Sequence, residues 1–187
     1  MNEINLLKLS TDRLELIAAT LDHVCAELKA PECLASLLNA QVESGWPPGE
    51  YDRAAQEFFR DRLQASGMSA VGWYGWYAVR RESCGQPSVL IGAGGYIGPP
   101  NEGGEVEIGF SVMPAWQNSG YATEICHALV ENALADVRVQ RVIAHASPTN
   151  GPSCRVLEKC RFHHTGADEE SGHWRFEILR NNKRISL

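Results

Sequence analysis

No stretch of this sequence approaches 18 consecutive apolar residues, so nothing in it reads as a membrane-spanning helix. The first residues, Met-Asn-Glu-Ile-Asn, lack the charged start, apolar middle and cleavage site of a secretory leader. Strongly basic runs are missing and the net charge is −6, which argues against a nucleic-acid binder held by phosphate contacts. A small basic cluster appears only at the end, at Arg180, Lys183 and Arg184, and reads as a solvated tail. The six cysteines (25, 33, 84, 126, 154 and 160) contain no C-x-x-C pair. Cys25, Cys126 and Cys160 fall at apolar helical positions, the pattern of buried free thiols. The histidines show no metal-ligand spacing, and His163 and His164 would face opposite ways in a strand. No G-x-G-x-x-G follows the first strand pattern, which sets aside a dinucleotide-binding oxidoreductase. Internal repeats and linkers are also lacking. These absences leave one domain spanning residues 1–187, in a reducing cytoplasm, using no metal, membrane or nucleic acid. With 44% hydrophobic residues it can bury a sizeable core without staples.

What is present is organised around residues 104–135. Glu105-Val106-Glu107-Ile108-Gly109-Phe110 has a period of two, placing both carboxylates on one face of a strand and Val106 and Ile108 on the other. Pro114 ends that strand, having no N–H to give a ladder. From Ala122 the spacing becomes helical, with Ile125, Cys126, Leu129, Val130, Ala133 and Leu134 on one wide buried face. Between them, Gln117-Asn118-Ser119-Gly120-Tyr121 opens the helix with small and polar residues. A helix start with free amides and a positive dipole end is a ready anion site.

The rest of the chain supplies a frame. Residues 11–18 alternate as a strand, and Thr20 fits the N-cap of a helix carrying Leu21, Val24, Cys25 and Leu28, closed by Pro31. Residues 34–42 fit a further helical turn or two. Gly45-Trp46-Pro47-Pro48-Gly49 is a loop, and a helix follows over 52–65 with Ala55, Phe58, Phe59 and Leu63 buried. The aromatic run 73–79 reads as a central strand. A second strand spans 88–97, where Gly92, Gly94 and Gly95 allow close backbone approach. After the helix from Ala122 come a strand at 141–147, a short helix from Asn150 with Val156, Leu157 and Cys160, and two strands around the polar turn 168–172. The succession predicts an α+β domain: a mixed, mostly antiparallel sheet of six to seven strands with helices on both faces.

On these residues the chain resembles the GNAT superfamily of N-acetyltransferases. Gln117-Asn118-Ser119-Gly120-Tyr121-Ala122 resembles its Q/R-x-x-G-x-G/A signature. Glu107-Ile108-Gly109-Phe110, Tyr121-Ala122-Thr123-Glu124 and Asn150-x-x-Ser153-x-x-Val156-Leu157-Glu158-Lys159-x-x-Phe162 are similar to the ribosomal-protein-alanine acetyltransferase (RimJ/RimL-type) branch. An opening Thr11-Asp12-Arg13-Leu14 is common there too. Two signatures about 30 residues apart on the expected elements are far more specific than either alone. The resemblance implies acetyl-coenzyme A as cosubstrate, an amine acceptor (a protein N-terminus or a small molecule) and a monomer or homodimer. It implies fourth and fifth strands that splay apart, with a bulge that Gly109 would suit. Backbone groups near Phe110 and Val112 would then pair with pantetheine, the N–H groups of Gln117, Asn118, Ser119, Gly120, Tyr121, Ala122 and Thr123 would hold the pyrophosphate, and Asn150 would reach pantetheine. Asn118 and Ser119 stand where relatives often carry Gly and a basic or Gly residue, and Arg161 replaces a usual Gly.

Acetyl transfer to an amine needs a neutral nucleophile, a stabilised oxyanion and a protonated leaving thiolate. A lysine-like amine is neutral only about once in 2,500 molecules at pH 7, a deficit near 4.6 kcal/mol, whereas an α-amine is neutral about once in ten. The resemblance aligns Glu107 with the carboxylate that serves as base in the histone-acetylating members, acting directly or through a water, with Glu105 the second choice; both also fit plain solvent-facing strand positions. A strand N–H near Phe110 would meet the oxyanion. Leu157 stands where many relatives place a tyrosine, and Ser153 is the branch's substitute near the sulfur, although a hydroxyl there also fits a helix cap. Cys154 could suggest a covalent acyl-enzyme, but no paired histidine is evident. Trp46, in its Pro-rich loop, is the aromatic residue best placed to touch an acceptor, while Trp73, Tyr74 and Trp76 fit the core. The competing reading is a coenzyme A-binding module with this fold and no turnover.

Overall fold

The computed structural model describes residues 6–83 and 85–180. Residues 1–5, Cys84, Lys183 and Arg184 lie outside them. The described residues form β1 (Lys8–Ser10), β2 (Leu14–Ala18), α1 (Leu21–Lys29), α2 (Pro31–Leu38), β3 (Gln41–Val42), α3 (Arg53–Ser66), β4 (Gly75–Arg80), β5 (Val89–Tyr96), β6 (Glu105–Val112), α4 (Tyr121–Ala135), β7 (Arg141–Ala146), α5 (Gly151–Lys159), β8 (His163–Ala167) and β9 (Trp174–Leu179). They make one open α+β sheet in the order β1-β2-β4-β5-β6-β7-β9-β8, with β3 beside β5. Pairing is antiparallel except for β3 with β5 and β6 with β7. A parallel pair needs a crossover, and α4 supplies it between β6 and β7.

The sheet has nine strands where the periodicity predicts six to seven. The added strands, β1 and β3, are three and two residues long, too short to carry a legible alternation. The expected strand over 11–18 begins instead at Leu14, because Thr11 turns the chain: its N–H donates to Leu14 O. Pro31 does not merely close α1 but starts α2, where its missing N–H costs nothing. That helix runs to Leu38 and stops at Asn39, which is left-handed at φ 49°.

Two apolar cores flank the sheet. One joins Val106, Ile108 and Val112 of β6 to Ile125, Leu129 and Ala133 of α4 and Leu157 of α5. The other joins Ile17, Tyr77 and Leu90 to Val24, Leu34, Phe59 and Leu63 from α1, α2 and α3. The face of α1 turned inward is polar as well as apolar, comprising His23, Val24 and Glu27; Cys25, expected there, is exposed. Cys126, Cys154 and Cys160 are buried free thiols. Arg180 is not a solvated tail residue: its guanidinium donates to the Val139 and Asp136 carbonyls beyond α4. Among the described residues no helix is long and apolar enough to cross a membrane.

The feature that positions the site is a divergence of β6 from β7. The two strands pair only at Glu105, Val106 and Glu107, opposite Arg141, Val142 and Ile143. Past that point β6 stays with β5 through Ile108, Gly109, Phe110, Ser111 and Val112 in unbroken register. The splay therefore occurs without the bulge expected at Gly109; β6 simply leaves β7 behind.

Candidate functional site

The divergence exposes one edge of β6. Ile97 N donates to Glu107 O and Met113 N to Ile91 O, so the odd residues of β6 form the ladder with β5. Antiparallel alternation turns the N–H and C=O of Phe110 and Val112 toward the vacated β7 side. The Gln117 side chain folds back across this edge and donates from Nε2 to Val112 O at 2.9 Å.

Beyond β6 the chain makes a short 3-10 turn at Pro114–Trp116 and enters the 117–120 loop. Gln117 N–H is spent on Pro114 O, so Gln117 offers no free amide to an anion. From Asn118 to Thr123, no backbone N–H has a partner among the described residues, and the α4 ladder resumes with Glu124 N donating to Gly120 O. Asn118 and Gly120 are both left-handed, at φ 59° and 82°. Asn is among the few side chains that adopt this region readily, which is why it can stand where relatives have Gly. Successive amides in such a turn, at the positive end of a 15-residue helix, form an anion-binding concavity.

The turn is fixed from behind by the Thr11–Leu14 segment. Glu124, in the first turn of α4, accepts from Thr11 Oγ1 at 2.5 Å, Arg13 N at 2.9 Å and Arg13 Nε at 2.8 Å. Arg13 Nη1 donates to Ser119 O at 2.9 Å, and its guanidinium lies 4.2 Å from the centre of the Tyr121 ring. Burial alone would raise the Glu124 pKa, but the bonds from Thr11 and Arg13 outweigh it and hold the carboxyl below its usual range.

A cavity of about 510 Å³ fills the space between the β6 edge, this turn and α5. Phe110 and Val112 line it, as do Gln117, Asn118, Gly120, Tyr121, Ala122, Thr123, Asn150 and Ser153. Ser119 does not; its hydroxyl donates to Gln117 O. Asn150 caps α5, its Oδ1 accepting from Ser153 N at 3.2 Å. Ser153 is therefore not the cap, and its hydroxyl is left without a partner among the described residues. Cys154 is buried and directed at Ser147 O, off the cavity lining.

Arg155 and Lys159, spaced i, i+4 on α5, line the same cavity, and neither has an ion-pair partner among the described residues. The sequence reading missed them; their helical spacing behind Asn150 was the available signal. They restore the positive charge that Asn118 and Ser119 leave out. Arg161, just past α5, is held left-handed at φ 66°, a conformation that costs a non-glycine residue about 1–2 kcal/mol.

The two candidate bases separate. Glu105 is engaged by Arg175 at 2.6 Å. Glu107 sits where β6 and β7 part, with Oε1 2.8 Å from Nδ1 of His145 on β7. His145 was not foreseen, because its proximity depends on strand register. Trp46 is buried away from both the cavity and solvent, donating from Nε1 to Glu27 Oε1 at 2.5 Å, which corrects its expected role at an acceptor. Its loop neighbours Gly49 and Glu50 line the cavity instead.

The architecture has known counterparts. It superposes on the ribosomal-protein-S5-alanine acetyltransferase of Vibrio fischeri with a TM-score of 0.65 at 14% identity, covering 94% of this chain and 98% of that one. A dodecameric spermidine N-acetyltransferase of Vibrio cholerae superposes at 0.59 with 16% identity, covering 91% and 95%. In sequence, the chain is 27% identical over 166 residues to YjdG, an uncharacterized N-acetyltransferase of Bacillus subtilis, spanning 89% of this chain and 95% of the relative. The family model of the Acetyltransferase (GNAT) domain matches residues 13–163, from the arginine behind the turn to the start of β8. With that match covering most of its length, the chain belongs to the GNAT family and is an acetyltransferase.

Proposed function

We infer that the protein is an acetyl-coenzyme A-dependent N-acetyltransferase of the ribosomal-protein-alanine acetyltransferase type, acting on a primary amine. The observation that carries this is the set of unpartnered N–H groups at Asn118, Gly120, Tyr121, Ala122 and Thr123, residues that line a cavity also holding two cations without ion-pair partners among the described residues. These amides, with Arg155 and Lys159, would hold the diphosphate and 3′-phosphate of the cofactor. The outward C=O of Phe110 and N–H of Val112 would receive the pantetheine amides as an added strand does. When bound, acetyl-coenzyme A supplies the acetyl group as a thioester, so that an N–C bond forms as the C–S bond breaks and the amine's proton ends on the sulfur.

The chain's own groups have the following roles. The Phe110 N–H, turned away from β5, would meet the negative charge that grows on the carbonyl oxygen. Ser153, with its hydroxyl uncommitted, would donate a hydrogen bond to the leaving sulfur, so that the proton lost by the amine can be relayed there through solvent without leaving an alkoxide behind. Glu107, which lies off the lining of the cavity and against His145, would accept the amine's proton through intervening water, with His145 keeping the carboxylate oriented. The demand on this base is slight for an α-amine and severe for a lysine-like one.

The test is a thermal shift with coenzyme A, repeated on Gly120→Glu. The left-handed φ of Gly120 penalises any side chain, and a carboxylate set at an anion site repels phosphate by about 4 kcal/mol at 4 Å in an effective dielectric of about 20. Stabilisation of the parent and none of the variant is the expected result; an unshifted parent would sink the reading.

A further inference from the structure

A second cavity, of about 170 Å³, adjoins the first and shares Glu50, Phe110 and Ser111 with it. It lies between α3 and the β5–β6 pair. Apart from the Glu50 carboxylate, the polar side chains on its wall are already committed: the Tyr51 hydroxyl donates to Glu27 Oε2 at 2.9 Å, Ser111 Oγ to Pro48 O at 3.1 Å and the Tyr96 hydroxyl to Leu129 O at 2.7 Å. What faces the space is the rings of Tyr51 and Phe59, the Ala55 methyl and bare glycine backbone.

The glycines differ in what they do. A Cβ on Gly94 would meet Leu129 at 2.9 Å and one on Gly95 would meet Tyr74 O at 2.1 Å, so those two serve close packing. A Cβ on Gly109 would meet nothing within 4 Å, and its backbone is not left-handed. Neither packing nor dihedral angle requires glycine there. Its missing side chain leaves the cavity open.

An apolar cavity of about 150 Å³ accommodates benzene. Glu50, at the junction of the two spaces, is a carboxylate with no ion-pair partner among the described residues. We propose that the acceptor is a primary amine bearing one compact apolar group of phenyl or branched-butyl size, the group seated in the 170 Å³ cavity and the amine held at Glu50. This rests on the transferase reading above and narrows it. A polyamine fits less well, because with one amine at Glu50 its second ammonium would lie against Tyr51 and Phe59 with no second carboxylate on the wall. The same chemistry reaches the cavity from a small aralkylamine or from a protein N-terminus with a large apolar first residue.

Thiol release from acetyl-coenzyme A, followed with phenethylamine, a tripeptide beginning with Phe, ethylamine and spermidine, decides the matter. Burying a group of this size is expected to give phenethylamine or the peptide a kcat/KM roughly tenfold or more above ethylamine and spermidine. A lead for the peptide identifies a protein N-terminus, and a lead for phenethylamine a small amine. Gly109→Leu fills the cavity and is expected to raise KM for the preferred acceptor roughly tenfold, while coenzyme A still raises Tm, because Gly109 lies outside the cofactor cavity. If that variant does not fold, Ala55→Leu fills the space from the opposite wall. Ethylamine or spermidine matching phenethylamine overturns the proposal. So does an unchanged KM in the filled variants, or coenzyme A binding with no turnover of either apolar acceptor. Loss of the coenzyme A shift in the parent would instead sink the transferase reading itself.

Discussion

The two cavities that meet at Phe110 and Ser111 are built by opposite means. The larger is made of backbone: a left-handed turn, the first amides of α4 and the open edge of β6, braced from outside by Arg13 and Glu124. The smaller sets side chains from α3 and the loop before it against bare glycine backbone of β5 and β6, and the Tyr51 side of its wall is tied to one buried carboxylate. Glu27 accepts from Trp46 Nε1 and Gln56 Nε2 on one oxygen and from the Tyr51 and Tyr77 hydroxyls on the other. A backbone-built site can keep its shape while its side chains vary. A site hung on one side chain changes all at once when that residue changes.

The most damaging way to break the contrast is Glu27→Ala. It strands at least the Trp46 and Gln56 N–H donors, at about 1–3 kcal/mol each, and opens a void beneath α1. A loss of about 4 kcal/mol is expected in urea denaturation. Acceptor KM should rise steeply, while the protein that remains folded binds coenzyme A as before. If coenzyme A affinity fell in proportion, the two sites would not be separately built. Arg13→Ala is the reciprocal test. The Arg13–Glu124 pair is partly exposed, and the Ser119 carbonyl loses its donor. About 1–2 kcal/mol should be lost, largely as weaker coenzyme A binding in calorimetry, with acceptor KM little changed.

That same contrast decides how much could be read from the sequence. The larger cavity follows largely from contiguous residues, because amides 118–123 and the helix behind them are local; of the ten expected residues that line it, seven lie within the two signatures, and Phe110, Val112 and Thr123 are implied beside them by the resemblance. Its bracing was visible only as the resemblance of Thr11-Asp12-Arg13-Leu14; the reason, a carboxylate 111 residues away, needed the fold. The smaller cavity left no local mark. Trp46 looked like an acceptor contact because it sits in a Pro-rich loop, yet the inward polar face of α1 draws it to Glu27. Glu27 itself breaks the apolar helix pattern that marks a buried face, so the periodicity favoured Cys25, which is exposed. The pairing of Glu107 with His145 likewise depends on the parallel register of β6 and β7.

A smaller effect is expected from the cations of the larger cavity. Arg155 and Lys159 are exposed at its rim, so each should contribute about 1 kcal/mol or less to coenzyme A affinity. Arg155→Ala and Lys159→Ala should each weaken binding about fivefold at low ionic strength, and less as salt rises. No loss in either variant would mean that the amides alone carry the phosphate, and a loss that ignores salt would mean that the side chains act by contact and not by charge.

The finest test uses pH, since the two anchoring carboxylates are displaced in opposite directions. Burial raises the Glu27 pKa, a shift that the bonds from Tyr77, Trp46, Tyr51 and Gln56 only partly offset. Its protonated form is therefore favoured more in the folded than in the unfolded chain. That contribution is complete below the unfolded value near 4.3 and is lost as pH rises through the higher folded value. Glu124 is held below its unfolded value, so its contribution is present above about 4.3 and is lost as pH falls through the folded value. Glu27→Gln can keep the four contacts, its carbonyl facing Trp46 and Gln56 and its NH₂ facing the tyrosine oxygens. Denaturation of parent and Glu27→Gln across pH 4 to 8 should show the parent losing ground to the variant as pH rises. Parent and Glu124→Gln should converge as the solution is acidified below about 4.3, because protonation of Glu124 then removes the same charge that the substitution does. Parallel profiles in either pair would mean that the carboxylate in question titrates alike in the folded and unfolded chains.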